Sequence, residues 1–291
     1  MTETLNSKNT AAENLTIKNL PILIALLPLC VFSAASSSSP LHSILIFLVS
    51  VAWCFIFETF GQKFLKQKLM AHDLTAVICG LELALLLPEQ IQLWQVILGA
   101  LVAIVAAKLF FGGNGSYVFS PALIGRAFLF VSFKSSFSES KWLFPCGDEK
   151  QAVWALALLA AAFLYLVVMK AISPESAASA AAYAAVLLAA CVLYSLISGE
   201  EILPSAAGFM TSGAVLFMAV FIITDSTILP DSTLGKILYG ACAAILTFII
   251  MIPGKTQDGA MFAILIMNAV APYFNQKKKA KIPSANAGGA K

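Results

Sequence analysis

Charge is scarce in this sequence. Asp, Glu, Lys and Arg make up 11% of its 291 residues, against 60% hydrophobic residues. An ordinary soluble domain carries about a quarter of its residues as charges, so that class is excluded. Histidine is nearly missing: His42 and His72 stand alone at the edges of apolar runs, and neither reads as a metal ligand. The six cysteines, Cys30, Cys54, Cys79, Cys146, Cys191 and Cys242, form no C-x-x-C pair, and five lie inside apolar runs. Metal or iron–sulfur binding needs clustered thiolates, which this spacing does not offer. The cysteines read as small hydrophobic packing residues. There is no glycine-rich loop between a strand and a helix, no Walker sequence and no Ser/His/Asp arrangement of useful spacing. No catalytic residue is therefore assigned, and the chain alone holds no complete active site. Redox chemistry would come from a bound cofactor or from partner subunits. The net charge of +3 is too small to imply nucleic acid. Threonine is missing from the whole stretch between Thr75 and Thr211.

What is abundant is apolar sequence in blocks. Ten segments fall at 20–36, 41–60, 74–87, 91–111, 122–133, 151–169, 176–198, 204–224, 234–252 and 258–274. A membrane-spanning helix needs about 20 apolar residues. Segments 74–87 and 122–133 fall short and read as half-helices or re-entrant helices. The fold class is an all-α integral membrane protein of about ten transmembrane or half-spanning helices. Residues 1–19 form a polar tail, 20–274 a single transmembrane domain, and 275–291 a basic tail. The first 19 residues are polar and no small-residue cleavage site follows the first apolar run, so that run reads as a retained span.

Ten segments put both termini on one side of the membrane. With the termini cytoplasmic, fourteen of the eighteen Lys and Arg residues fall inside, including Lys108 and Arg126. Lys134, Lys141, Lys150 and Lys255 fall outside. This positive-inside bias supports the orientation and the even count. The cluster Lys277–Lys281 reads as a topology anchor that also attracts anionic lipid. A shift of 141 residues superposes Gly99-Ala100 on Gly240-Ala241 and Gly113 on Gly254. Each stretch is a long apolar helix, a glycine break and a short apolar helix. Five segments per half give opposite orientations, so the expectation is a 5+5 inverted repeat with halves at about 20–133 and 151–274. Such folds place their sites where the interrupted segments meet, here 112–126 and 253–259.

The stretch FFGGNGSYVFSPALIGRAFLFVSF, residues 110–133, holds the densest signal. Gly112, Gly113 and Gly115 free the backbone from helical angles, and Pro121 suits the first turn of a new helix. Arg126 then enters an apolar run. It either snorkels or caps carbonyls of a neighbouring broken helix, or it contacts an anionic cofactor, a quinone or a partner carboxylate. The glycine run either presents N–H groups to an anion or makes a tight turn. Glu82, in the middle of CGLELALLLP, is a functional candidate by its depth; the alternative is a wet position near a surface. Asp225 follows directly on the eighth apolar run, among Ser226, Thr227, Ser232 and Thr233. Glu82 and Asp225 are the ion-pathway candidates. Asp73 reads as the cap of the third helix, and Ser232 or Thr233 as the cap of the ninth.

Four stretches in order, HDLTAVICGLELALLLP, GGNGSYVFSPALIGRAFLF, SGAVLFMAVFIITDSTILPDSTLGKILYGA and DGAMFAILIMNAVAPYF, resemble the D subunit of the Rnf-type ion-translocating electron-transport complex. The related B subunit of the sodium-translocating NADH:quinone oxidoreductase shares the pattern. The family's central motif reads GG-x-G and then F-N-P-A-x-x-G-R-A-F, matched here by Gly112, Gly113, Gly115, Phe119, Pro121, Ala122, Gly125, Arg126, Ala127 and Phe128. Ser120 stands where the family has asparagine. The resemblance implies a subunit of a redox-driven pump in the bacterial inner membrane. Such a pump couples electron transfer of the NADH, ferredoxin or quinone type to Na+ or H+ translocation. Its partners would be membrane and peripheral subunits carrying flavin and iron–sulfur centres. The alternative is a standalone inverted-repeat transporter or channel that has lost the redox role. The resemblance also implies FMN esterified to a threonine in a Ser/Thr-Gly-Ala-Thr motif between spans five and six. Residues 134–150 lack that motif, and Thr211-Ser212-Gly213-Ala214 ends in Val215 where the acceptor hydroxyl belongs. The expectation is that this chain carries no covalent phosphothreonyl-FMN.

Overall fold

The computed structural model describes residues 2–65, 74–137, 143–144, 149–198, 213–254 and 258–278. Among these, all regular structure is helical. In chain order the helices are α1 (Thr2–Ser36), α2 (Pro40–Phe64), α3 (Thr75–Leu86), α4 (Leu93–Leu101), α5 (Pro121–Ser132), α6 (Lys134–Phe137), α7 (Glu149–Val168), α8 (Pro174–Ser198), α9 (Gly213–Phe217), α10 (Thr233–Gly254) and α11 (Gly259–Val270). His72, Asp73, Cys146, Lys66, Lys141, Lys255, Lys279 and the string Thr211-Ser212 lie outside the described residues.

Among the described residues, four stretches are long and apolar enough to cross a bilayer: Asn19–Ser36, Pro40–Phe64, Pro174–Ile197 and Thr233–Met251. The chain is a multi-pass membrane protein. Its outer faces carry large apolar side chains such as Leu41, Leu48, Phe64, Val168 and Ile197. In lipid these are solvated rather than exposed.

The short segments behave as the hydropathy indicates. α3, α5 and α11 have 12 residues each, so each rises about 18 Å where a span needs about 30 Å. Helices this short end at depth, and their terminal carbonyls need partners other than lipid. At the end of α3 three consecutive carbonyls find partners outside the helix. Leu85 O accepts from Phe144 N at 3.3 Å and Leu87 O from Leu143 N at 2.8 Å. Leu86 O accepts from Arg126 Nε at 2.5 Å.

One local expectation changes. The segment 91–111 is not a uniform α-helix. Beyond α4 it winds as a π-helix over Val102–Leu109, with Phe110 N donating to Val105 O at 3.1 Å and Gly113 N to Lys108 O at 3.0 Å. The same winding follows α9 over Met218–Ile222, where Ile223 N donates to Met218 O at 2.9 Å. Sequence hydropathy carries no signal for the extra residue per turn. Starts are better marked. Pro121 opens α5 after Ser120, and Ser232 Oγ accepts from Gly235 N at 3.1 Å, making Ser232 the cap of α10.

Close helix approaches fix the packing. α2 packs on α3 and α4, α5 on α4 and α11, and α10 on α8 and α11. A Cβ on Gly125 of α5 would sit 2.6 Å from the Gly99 carbonyl oxygen of α4, and one on Gly240 of α10 would sit 2.1 Å from the Ser179 carbonyl oxygen of α8. Beyond α3, Glu89 ties the α1–α2 turn: its Oε1 accepts from Ser37 Oγ and from the N–H and hydroxyl of Ser38. Burial acts to raise the Glu89 carboxyl, but these bonds outweigh it and hold the group below its ordinary value.

Candidate functional site: a polar cavity inside the bundle

A cavity of about 320 Å3 opens where α3, the π-wound end of α4, the 112–121 break and the segment 220–227 converge. Glu82 and Asp225, far apart in sequence, both line it. Helical spacing explains the α3 wall: Thr75, Ile78, Cys79 and Glu82 recur at three- and four-residue steps and so share a face. Asp225 arrives because the π-winding of Met218–Ile222 ends in a turn, after which Ile228 N and Leu229 N both donate to Asp225 O at 3.2 Å.

The break supplies the third wall. Gly112, Gly113 and Gly115 take φ of 108°, 88° and 79°, the left-handed region that favours glycine. Of these, Gly115 lines the cavity, as do Pro121 and Ser120. Tyr117 leaves the turn and donates from its hydroxyl to Asp225 Oδ2 at 2.8 Å. Asp225 Oδ1 accepts from Thr227 N at 2.9 Å. Glu82 makes no hydrogen bond or ion pair among the described residues. Asn114 accepts from Thr75 Oγ1 at 3.0 Å, and its buried Nδ2 has no partner among the described residues. Ser120, at the start of α5, is held from behind by Asn268 of α11. With the amide oriented to satisfy both its ends, its oxygen accepts from Ser120 N at 3.2 Å and its NH2 donates to Tyr239 Oη at 2.5 Å.

Lys108 also lines the cavity, and it belongs to a buried ion pair that sequence reasoning missed. Lys108 Nζ sits 2.7 Å from both carboxylate oxygens of Glu58 and 2.6 Å from Thr75 Oγ1. Gln62 Nε2 donates to Glu58 Oε1 at 2.9 Å, one turn along α2. The available signal was Glu58 and Gln62 at a four-residue step in an otherwise apolar run. Tyr117 was legible as the only hydroxyl-bearing aromatic inside the glycine break.

The structure also extends the sequence reading. At the cavity the break at 112–121 meets 220–227, while the expected pair 112–126 and 253–259 meets through Arg126 and Asp258. Arg126 does not line the cavity. It lies five residues into α5 beyond Pro121, about 7.5 Å farther along the axis. There it is 1% exposed and joins α5 to the ends of two other half-helices. Its Nε caps Leu86 O, its Nη2 pairs with Asp258 Oδ1 at 2.7 Å, and its guanidinium lies 5.6 Å from the Phe137 ring centroid. Arg126 therefore both caps a broken helix and contacts a carboxylate, that of Asp258. Lys108 and Arg126, counted among inner loop charges, are instead buried and paired within the bundle. Gly125 packs closely against Gly99.

For the implied flavin, the described part of the loop after α5 offers Ser135 and Ser136. Ser136 Oγ accepts from Gln95 Nε2 at 3.1 Å. With no threonine from residue 76 to 210, these residues do not fit a phosphothreonyl linkage. Ser138 and Ser140 lie outside the described residues. Among those described, no cluster of His, Cys, Asp and Glu suits a metal ion.

Comparison with known proteins places this architecture. The chain is 28% identical over 283 residues to the D subunit of the Na(+)-translocating ferredoxin:NAD(+) oxidoreductase complex of Acetobacterium woodii, covering 90% of this chain and 88% of that one. It is 30% identical over 228 residues to the D subunit of the ion-translocating oxidoreductase complex of Methanosarcina acetivorans, covering 74% of each. It is 25% identical over 296 residues to the D subunit of the proton-translocating ferredoxin:NAD(+) oxidoreductase complex of Clostridium ljungdahlii, covering 88% and 87%. The model of the NQR2, RnfD, RnfE family matches residues 7–282, and the chain belongs to that family.

Proposed function

We propose that this chain is a membrane subunit of a multi-subunit redox-driven pump that couples electron transfer to Na+ or H+ translocation. The family match and the names of the relatives support the complex. The observation that carries the role of this chain is the convergence of Glu82, Asp225 and Tyr117 on one polar cavity in an apolar bundle. Ionisable groups at such depth are expensive unless they serve a pathway. Asp225 is oriented by Tyr117 and Thr227, which leaves it an acceptor for a cation. Glu82 keeps its oxygens open to the cavity. Together they supply carboxyl oxygens for a cation in transit, and Glu58 neutralises the Lys108 ammonium that also lines the cavity.

The charge bias supports a chain in the inner membrane of a bacterium with both termini in the cytoplasm. In this reading the halves are an inverted repeat, with α4 and α5 answering α10 and α11. Electrons reach the complex through flavin and iron–sulfur partners, because this chain lacks the threonine for a covalent FMN.

The test is to replace Glu82 by Gln and Asp225 by Asn in the assembled complex. Electron transfer and cation uptake into vesicles are then measured together. The expectation is a loss of at least about tenfold in coupled transport, with electron transfer retained at least in part under uncoupled conditions. Full coupled transport in both variants would remove the assignment.

A further inference from the structure

The six cysteines looked scattered, yet the fold brings two of them together. Cys54 is on α2 and Cys79 on α3, and the two thiols are close enough to interact with one another. The helix crossing explains how. Ser50 Oγ donates to Gly80 O at 2.7 Å, and a Cβ on Gly80 would stand 2.8 Å from the Cα of Val51. The two backbones therefore touch at Val51 and Gly80, beside Cys79 and within one turn of Cys54; a disulfide needs helices that approach this closely. Cys54 lies one turn along α2 from Ser50, and Cys79 precedes Gly80. Both thiols are free, Cys54 is fully buried, and Cys79 lines the polar cavity three residues before Glu82.

We propose that Cys54 and Cys79 form a modification site: a dithiol, entered through the cavity at Cys79, that low-molecular-weight disulfides convert to an intrachain disulfide. The reagent disulfide is the oxidant, and the chemistry balances with nothing else added. The Cys79 sulfur attacks one sulfur of the reagent, the reagent's S–S bond breaks, and one reagent thiol leaves with the Cys79 proton. The Cys54 sulfur then attacks the Cys79 sulfur of the mixed disulfide. The second reagent thiol leaves with the Cys54 proton, and the protein S–S bond remains. The reagent gains the two electrons that the protein thiols lose. The product pins α2 to α3 at the wall that carries Glu82. The pairing stands independently of the transport role; any effect on transport rests on that role.

The experiment uses the complex in native membranes and dithiodipyridine, a small apolar disulfide. Peptide mapping by mass spectrometry is the readout. The expected product is a cross-linked Cys54–Cys79 peptide pair, lighter by two hydrogens and free of reagent, with two reagent thiols released per pair. The Cys54→Ala chain is expected to keep one reagent adduct on Cys79 instead. Lone cysteines such as Cys242 should carry single adducts in both. Single adducts on Cys54 and Cys79 of the unaltered protein, or no reaction at Cys79 while Cys242 reacts, would overturn the proposal. If the cross-link forms, cation uptake before and after reduction is the second readout. A cross-link that leaves uptake unchanged sinks the role of the cavity wall in transport, while the dithiol site stands.

Discussion

Replacing Arg126 by alanine tests how the half-helices are joined. The guanidinium makes three kinds of contact at once: a capping bond to Leu86 O, an ion pair with Asp258 at 2.7 Å, and a face contact with Phe137 at 5.6 Å. In the variant, Leu86 O loses its donor at the buried end of α3. Asp258, whose side chain is 13% exposed, loses its counter-charge. Breaking a buried pair from one side costs roughly 3–5 kcal/mol, because the remaining charge is stranded. The ring contact adds about 0.5–1 kcal/mol. Arg126→Lys keeps the charge but not the fork, and one ammonium cannot replace both the Nε and the Nη2 bonds. Its expected loss is roughly 1.5–3 kcal/mol, the value of one charged hydrogen bond. The assay is equilibrium unfolding in mixed micelles followed by tryptophan fluorescence. The control is the double variant Arg126→Met with Asp258→Asn. Removing both charges should recover at least about 1 kcal/mol relative to the sum of the single changes. A loss under about 1 kcal/mol for Arg126→Ala, or an additive double variant, would refute the joint.

Gly125→Ala should destabilise by roughly 1–3 kcal/mol, since its Cβ meets the Gly99 backbone oxygen and only separation of α4 and α5 relieves it. Gly115→Ala meets open space and carries only the cost of its φ of 79°, about 1–2 kcal/mol; equal unfolding midpoints for the two variants would contradict this ordering. Glu89→Gln should lower stability at neutral pH by roughly 1–3 kcal/mol. The folded Glu89 carboxyl titrates below its ordinary value of 4.5, so its contribution is full above that value and fades as pH falls through the depressed one. Melting curves of the two proteins should therefore converge in acid, and a constant gap down to the lowest pH would argue against the tie. Intact-mass analysis and in-gel fluorescence of the purified chain should find no covalent FMN; an adduct at any residue would overturn that reading.

The all-α membrane character, the half-helix lengths and the family motif were legible in the sequence, because hydropathy is a local property that sums along the chain. The starts at Pro121 and Ser232 were legible for the same reason, since proline and serine act on the turn they occupy. Glu82 and Asp225 stood out as isolated charges, but nothing local said that they meet. The pairings that organise the interior join residues distant in sequence: Glu58 with Lys108, Tyr117 with Asp225, and Arg126 with Asp258. Each depends on how far one helix slides and turns against another, and close contacts at glycines such as Gly80 and Gly125 set that. For Arg126, the sequence marked a costly charge in apolar surroundings. Only the tertiary structure decided that its charge closes a joint between half-helices, and that the cavity belongs to the glycine break, Glu82 and Asp225.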